Sequence, residues 1–151
     1  MEFISANEFL KQDEKVQKVF LDWWRPSKGD LVSHIDNAND NNLNISIIVD
    51  YFSYGENWKK YPVKGYNIET NVTMDISKNF IPLLTEGQLR RYIEDKTEFP
   101  ILKIELINGQ YDIYTQYKAI DNYSDIYVYD ELGEDLLQAY WKVAIQIAKE
   151  S

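Results

Sequence analysis

The 151-residue chain contains no cysteine, a single histidine (His34), and only six glycines and four prolines. Without cysteine there is neither a disulfide framework nor a thiolate-built zinc or iron–sulfur site. The glycines stand singly, so no glycine-rich loop exists to cradle phosphate. A lone histidine excludes the two-histidine zinc-hydrolase motif, and no Gly-x-Ser-x-Gly nucleophile elbow is present. Cations are in deficit, with 16 Lys/Arg against 25 Asp/Glu and a formal charge of −9. The deficit is spread evenly: 8 against 12 in residues 1–75, leaving 8 against 13 in the remainder. A basic face able to release counterions from nucleic acid is therefore not expected. No apolar run approaches the roughly 20 residues that span a bilayer. The opening Met-Glu-Phe-Ile-Ser-Ala-Asn-Glu has neither a basic segment nor an apolar one, so no signal peptide is expected. The sequons at Asn44, Asn71 and Asn122 then read as chance matches, and the expected location is the cytoplasm.

What the chain has in quantity is aromatic and aliphatic surface. It is 44% hydrophobic and 15% aromatic, with 12 Tyr and 4 Trp, which argues against disorder. A chain of this size can bury about 69% of its extended surface, enough for a core without staples. No linker or internal repeat divides it, so the expectation is one α+β domain over residues 1–151. Its sheet should be mostly antiparallel, with an N-terminal helical region, a middle helix and a long C-terminal helix packed on it.

Ser5 and Glu8 have capping-box spacing, followed by apolar positions at helical spacing up to Trp24. The polar stretch 11–15 makes this one bent helix or two short ones, stopped by Pro26. Leu31–Ile35 and Ile45–Phe52 read as strands separated by the polar, turn-prone run 36–42. Residues 53–66 read as a loop or wide hairpin, and Asn67–Ile76 as a weak edge strand. Thr85 and Gln88 form a second capping box, with Leu84 and Leu89 spaced as a hydrophobic staple, for a helix to about Lys96. Asn108-Gly109 is the strongest hairpin signal in the chain. It joins strand Ile101–Ile107 to the next with Leu106 opposite Tyr111, Ile104 opposite Ile113 and Glu105 opposite Asp112. Ser124–Asp130 supplies a third strand. Leu132, Leu136, Leu137, Tyr140, Trp141, Val143, Ala144, Ile147 and Ala148 then follow a 3.6-residue period as the longest helix.

Few constellations carry chemistry. On a strand, Asp30, His34 and Asp36 would share one face, the arrangement of a metal site or an Asp-oriented base. Set against this is an ordinary histidine at a strand end. Glu105 and Asp112 are paired carboxylates, but on a solvated sheet face they lack the cleft that raises the pKa of a catalytic acid, and Lys103 and water should relieve them. No catalytic residue, metal site or cofactor is expected. The aromatics that helix and sheet packing leave unexplained are more informative. Trp23 and Trp24 point about 100° apart on a helix, so both cannot fill one narrow stripe, and Arg25 adjoins them. Trp58, Lys59, Lys60 and Tyr61 interleave aromatic with basic side chains. Trp, Tyr and Arg dominate interface hot spots, so these two clusters are the candidate binding residues.

Three blocks carry a resemblance: Phe20-Leu-Asp-Trp-Trp-Arg-Pro-Ser-Lys-Gly-Asp-Leu31, Ile81-Pro-Leu-Leu-Thr-Glu-Gly-Gln-Leu-Arg-Arg-Tyr-Ile-Glu-Asp-Lys-Thr97, and Leu132-Gly-Glu-Asp-Leu-Leu-Gln-Ala-Tyr-Trp-Lys142. Together, about a quarter of the chain, they resemble small uncharacterised proteins encoded by phages and prophages of low-GC Gram-positive bacteria. The resemblance implies a phage or prophage accessory protein in a bacterial cytoplasm and carries over no catalytic residue. The resulting expectation is a non-enzymatic protein that binds another protein, with neither nucleic acid nor membrane as a direct partner. Two alternatives belong to other classes. One is an acidic inhibitor of a host nucleic-acid-binding factor, and the other a metal-assisted hydrolase built on His34 with Asp30 and Asp36.

Overall fold

A computed structural model describes residues 2–34, 45–51, 63–68, 70–76, 80–118 and 124–151. Its backbone contacts divide the chain into two compact units, Ser5–Leu83 and Leu84–Ser151, the second also taking Met1–Ile4. The described residues form four helices and two antiparallel sheets, one of five strands and one of three, which is the expected α+β class. None of the helices is long and apolar enough to cross a membrane.

The first unit opens with two short helices, α1 (Ala6–Leu10) and α2 (Glu14–Trp23). The Ser5–Glu8 capping box is formed in both directions, so two orphan N–H groups at the start of α1 are satisfied. The polar stretch between the helices carries the break, where Gln17 Nε2 donates to the Leu10 and Gln12 carbonyls at 3.2 and 2.7 Å. Phe9 and Phe20 bring the two helices together, their ring centroids 6.2 Å apart.

Strands β1 (Leu31–His34), β2 (Ile45–Tyr51), β3 (Val63–Asn67), β4 (Val72–Ile76) and β5 (Phe80–Pro82) follow. They pair in the order β4-β3-β2-β1-β5. β4 is the edge strand expected within Asn67–Ile76. β3 runs through the end of the stretch 53–66, read as a loop or wide hairpin, and pairs antiparallel with β2 as the hairpin alternative requires. β5, in contrast, is a strand that the sequence reading did not include. All three residues of β5 are buried, and Pro82 on this edge has no N–H to leave unpaired. Between Ile48 and Asp50 the β2–β3 register slips by one residue, a bulge that turns Val49 out to solvent. The polar run 36–42 and residues 53–62 lie outside the described residues.

The second unit begins by tying the N-terminus down. Phe3 bridges Thr85, and the Ile4 N–H donates to the Leu84 carbonyl at 2.9 Å. The Thr85–Gln88 capping box then starts α3 (Glu86–Thr97), with Leu84 and Leu89 both fully buried. The helix ends where Glu98 turns into the left-handed region, φ 63°.

Strands β6 (Lys103–Ile107), β7 (Gln110–Lys118) and β8 (Ser124–Tyr129) form the meander β6-β7-β8. Asn108 and Gly109 both take positive φ, 51° and 77°, the condition for the two-residue turn that matches strand twist. The register is the expected one, with Leu106 opposite Tyr111, Ile104 opposite Ile113 and Glu105 opposite Asp112.

Helix α4 (Leu136–Glu150) lies on β7 and on α3, over buried Ile113 and Thr115. It starts one turn later than its apolar periodicity implies. Glu131 and Gly133 have φ of 52° and 98°, and the Asp135 side chain caps the Gln138 N–H at 2.7 Å. Leu132 is therefore a buried loop residue that precedes the helix, and its carbonyl accepts from Lys142 Nζ at 2.6 Å.

Candidate functional site

The Trp-Trp-Arg corner sits at the C-terminal end of α2, and the helix geometry splits its three residues. Trp24 is only 2% exposed and packs edge-on against Phe80 of β5, ring centroids 5.6 Å apart. Trp23 is half-buried. Arg25 is exposed, but its Nη1 folds back to donate to the Asp22 and Trp24 carbonyls at 2.7 and 3.2 Å. A cation on the last carbonyls of a helix satisfies orphan acceptors and complements the macrodipole. Trp24 and Arg25 thus serve the fold, one as core and one as a cap. The other cluster, Trp58, Lys59, Lys60 and Tyr61, lies outside the described residues.

The acidic constellations are also placed. Asp30 turns its carboxylate onto the Ser27 N–H at 2.9 Å, closing the turn before β1. His34 is the last residue of β1, with its backbone opposite Phe80, and Asp36 lies outside the described residues. Among the described residues no three His, Asp or Glu side chains gather as metal ligands. Glu105 and Asp112 face each other as the register required, and each has a counterweight. Lys103 forms an ion pair with Glu105 and holds its carboxyl below the ordinary carboxylate value. Asp112 Oδ1 accepts the Glu131 backbone N–H at 3.1 Å. A pKa held down by a neighbouring cation is opposite to what a general acid needs.

What the sequence reading missed is the three-stranded sheet's own surface. Alternation puts Ile113, Thr115, Tyr117, Tyr127 and Tyr129 on the face that α4 covers. Tyr117 and Tyr129 join hydroxyls there at 2.7 Å, and the Tyr127 ring leans on both. Burial raises the pKa of Tyr117 and Tyr129 above the ordinary value. The cover does not reach the whole sheet. Leu102 and Leu106 lie beyond it, Leu106 at 60% exposed, and Tyr127 is itself exposed at the β8 side. On the opposite face Ile126 is 64% exposed, next to exposed Val128 and in the same layer as Tyr114 and Gln116.

The two edges of this sheet differ. On β6 the solvent face carries Lys103 and Glu105, charges of the kind that blunt an edge. On β8 the run Ile126-Tyr127-Val128-Tyr129 has no charge on either face, and its first three residues are all exposed. The signal was in the sequence as a strand apolar on both faces. Such a strand reads as fully buried unless one knows that a single helical layer covers it. Comparison with protein families, with curated proteins and with solved structures finds no match for this chain.

Proposed function

We propose that this protein acts by binding another protein and not by catalysis, and that the three-stranded sheet of the second unit is its binding surface. The observation that carries the reading is the exposed run Ile126–Val128 on a strand with no neighbour on its outer side among the described residues. Water-exposed Ile, Tyr and Val in one strand are costly to solvate and template intermolecular pairing, so a surface of this kind marks an interaction site. Glu105, paired with Lys103 on an open face, is not poised as a general acid. The resemblance of the three sequence blocks adds the setting, a phage or prophage accessory protein whose partner is a protein of the bacterial cytoplasm.

A photo-crosslinking residue placed at Ile126, at Leu106 or at Glu86 on α3 tests the reading in bacterial cells. Discrete crosslinked species are expected from the two sheet positions and none from Glu86. A pattern independent of position would sink the proposal.

A further inference from the structure

We infer that β8 is the template for strand addition by an extended segment of the partner protein, with apolar side chains at alternate positions and lysine or arginine beyond its ends. The inference rests on the protein-binding reading above and specifies its partner. Backbone pairing supplies affinity in this mode, and the alternating side chains supply selectivity. β8 meets both needs. It is the terminal strand of β6-β7-β8, and it offers Ile126 and Val128 on one face and Tyr127 on the other.

The charge around the strand decides the occupant. Exposed Asp125 stands at one end of the apolar run, and exposed Asp130 and Glu131 at the other. Asp112, whose carboxylate accepts the Glu131 N–H, adds a further acid at the second end. Lys118 stands opposite Ser124 on β7 and offsets the first end in part. A second copy of this chain fits poorly. Paired antiparallel, β8 would lay Asp125 of one copy beside Asp130 and Glu131 of the other; paired parallel, each acid would meet its own twin. Like charges directly across a strand pair oppose the pairing in either case. A segment with basic ends reverses the sign at both ends. Asp125 and Asp130 are five residues apart, about 17 Å along an extended chain. The partner's cations should therefore be about five residues apart, with the stronger requirement at the Asp130–Glu131 end.

The edges of the other sheet do not compete on these grounds. β5 is buried along its length, and the β4 sequence Val-Thr-Met-Asp-Ile is broken by an acidic residue.

The test selects a displayed library of random nonapeptides on the full chain. Enriched peptides should alternate apolar residues between Lys or Arg ends and should slow hydrogen exchange at the β8 amides. Reversing the end charges of an enriched peptide should weaken it on the order of tenfold, an effect that fades in high salt. Two surface variants keep the test independent of folding, each first checked by circular dichroism. Ile126→Lys with Val128→Lys should abolish binding, and Asp125→Lys with Asp130→Lys should move the preference to acid-ended peptides. Enrichment of helical, acidic or uncharged peptides, or protection away from β8, would overturn the inference. So would a concentration-dependent dimer of the chain protected at β8. Crosslinks at Ile126 without strand-type peptides would remove strand addition and leave the protein-binding reading standing.

Discussion

Two isoleucines on opposite faces of one sheet give the sharpest test of which face is packed and which is open. Ile113 sits at the centre of β7 beneath α4, paired with Ile104 and Tyr129 and 0% exposed, whereas Ile126 on the adjacent strand is 64% exposed. Replacing isoleucine by alanine removes three carbons. At Ile113 the lost transfer energy is about 2.4 kcal/mol, at roughly 0.8 kcal/mol per methylene. The cavity left under α4 raises the cost to about 3–4 kcal/mol, because β7 is held on both sides and cannot collapse into the space. At Ile126 the same change removes carbons already facing water and should stay within about 0.5 kcal/mol. Urea unfolding followed by tryptophan emission reads both variants, since Trp141 is buried on α4 in the same unit. The midpoint of Ile113→Ala should drop sharply, with a melting temperature lower by about 10 °C, while Ile126→Ala overlays the parent. Equal losses from the two variants would refute the reasoning, for Ile126 would then be packed and its face of β8 would not be open to a partner.

Three further outcomes follow from the cap, the core and the tyrosines. Thr85→Ala removes the acceptor for the Gln88 N–H and the partner of a reciprocal box, and should cost about 1 kcal/mol in a urea titration; Thr85→Ser should recover most of it. The Ser46 hydroxyl is buried on β2 with no hydrogen-bond partner among the described residues, so Ser46→Ala should hold or raise stability by up to about 1 kcal/mol, and a loss of that size would contradict the burial. Burial raises the pKa of Tyr92, Tyr117 and Tyr129 above the ordinary 10.0, so the fold favours their neutral form. Their contribution is complete below about pH 10 and is lost as pH rises through the folded-state values. The urea midpoint should therefore be level from neutral pH to about that point and fall beyond it, as the tyrosines of the unfolded chain ionise. A midpoint level well into the tyrosinate range would mean that these hydroxyls are not held in the core.

Local signals were the most legible part of the chain. Ser5–Glu8, Thr85–Gln88 and Asn108-Gly109 each act within four residues, so their geometry follows from composition alone, and all three are formed. The register of β6 on β7 was legible for the same reason, because a two-residue turn leaves one pairing. Long-range pairing was not legible. β5 is three residues long and belongs in the sheet only because β1 lies beside it, and no three-residue window carries a period. The start of α4 was misplaced because Leu132 fits the helical stripe, whereas positive φ at Glu131 and Gly133 is a property of the connection that brings α4 back over the sheet. The candidate corner at Trp23–Arg25 was legible as composition but not as exposure, since Trp24 faces Phe80, fifty-six residues away.

The sequence by itself determined the locally signalled features: two capping boxes, a hairpin with fixed register, an aromatic-rich composition and an evenly acidic chain without cysteine. Those follow from interactions between near neighbours and from totals. Which faces meet water was decided only by tertiary structure. Ile113 and Ile126 are the same residue in neighbouring strands, but they point to opposite faces of the sheet, and α4 covers only the face that Ile113 is on. Exposure belongs to what packs against a residue from far along the chain. Among the described residues, the open apolar face of β8 therefore became visible only when the helical layer was seen to lie on one side of the sheet.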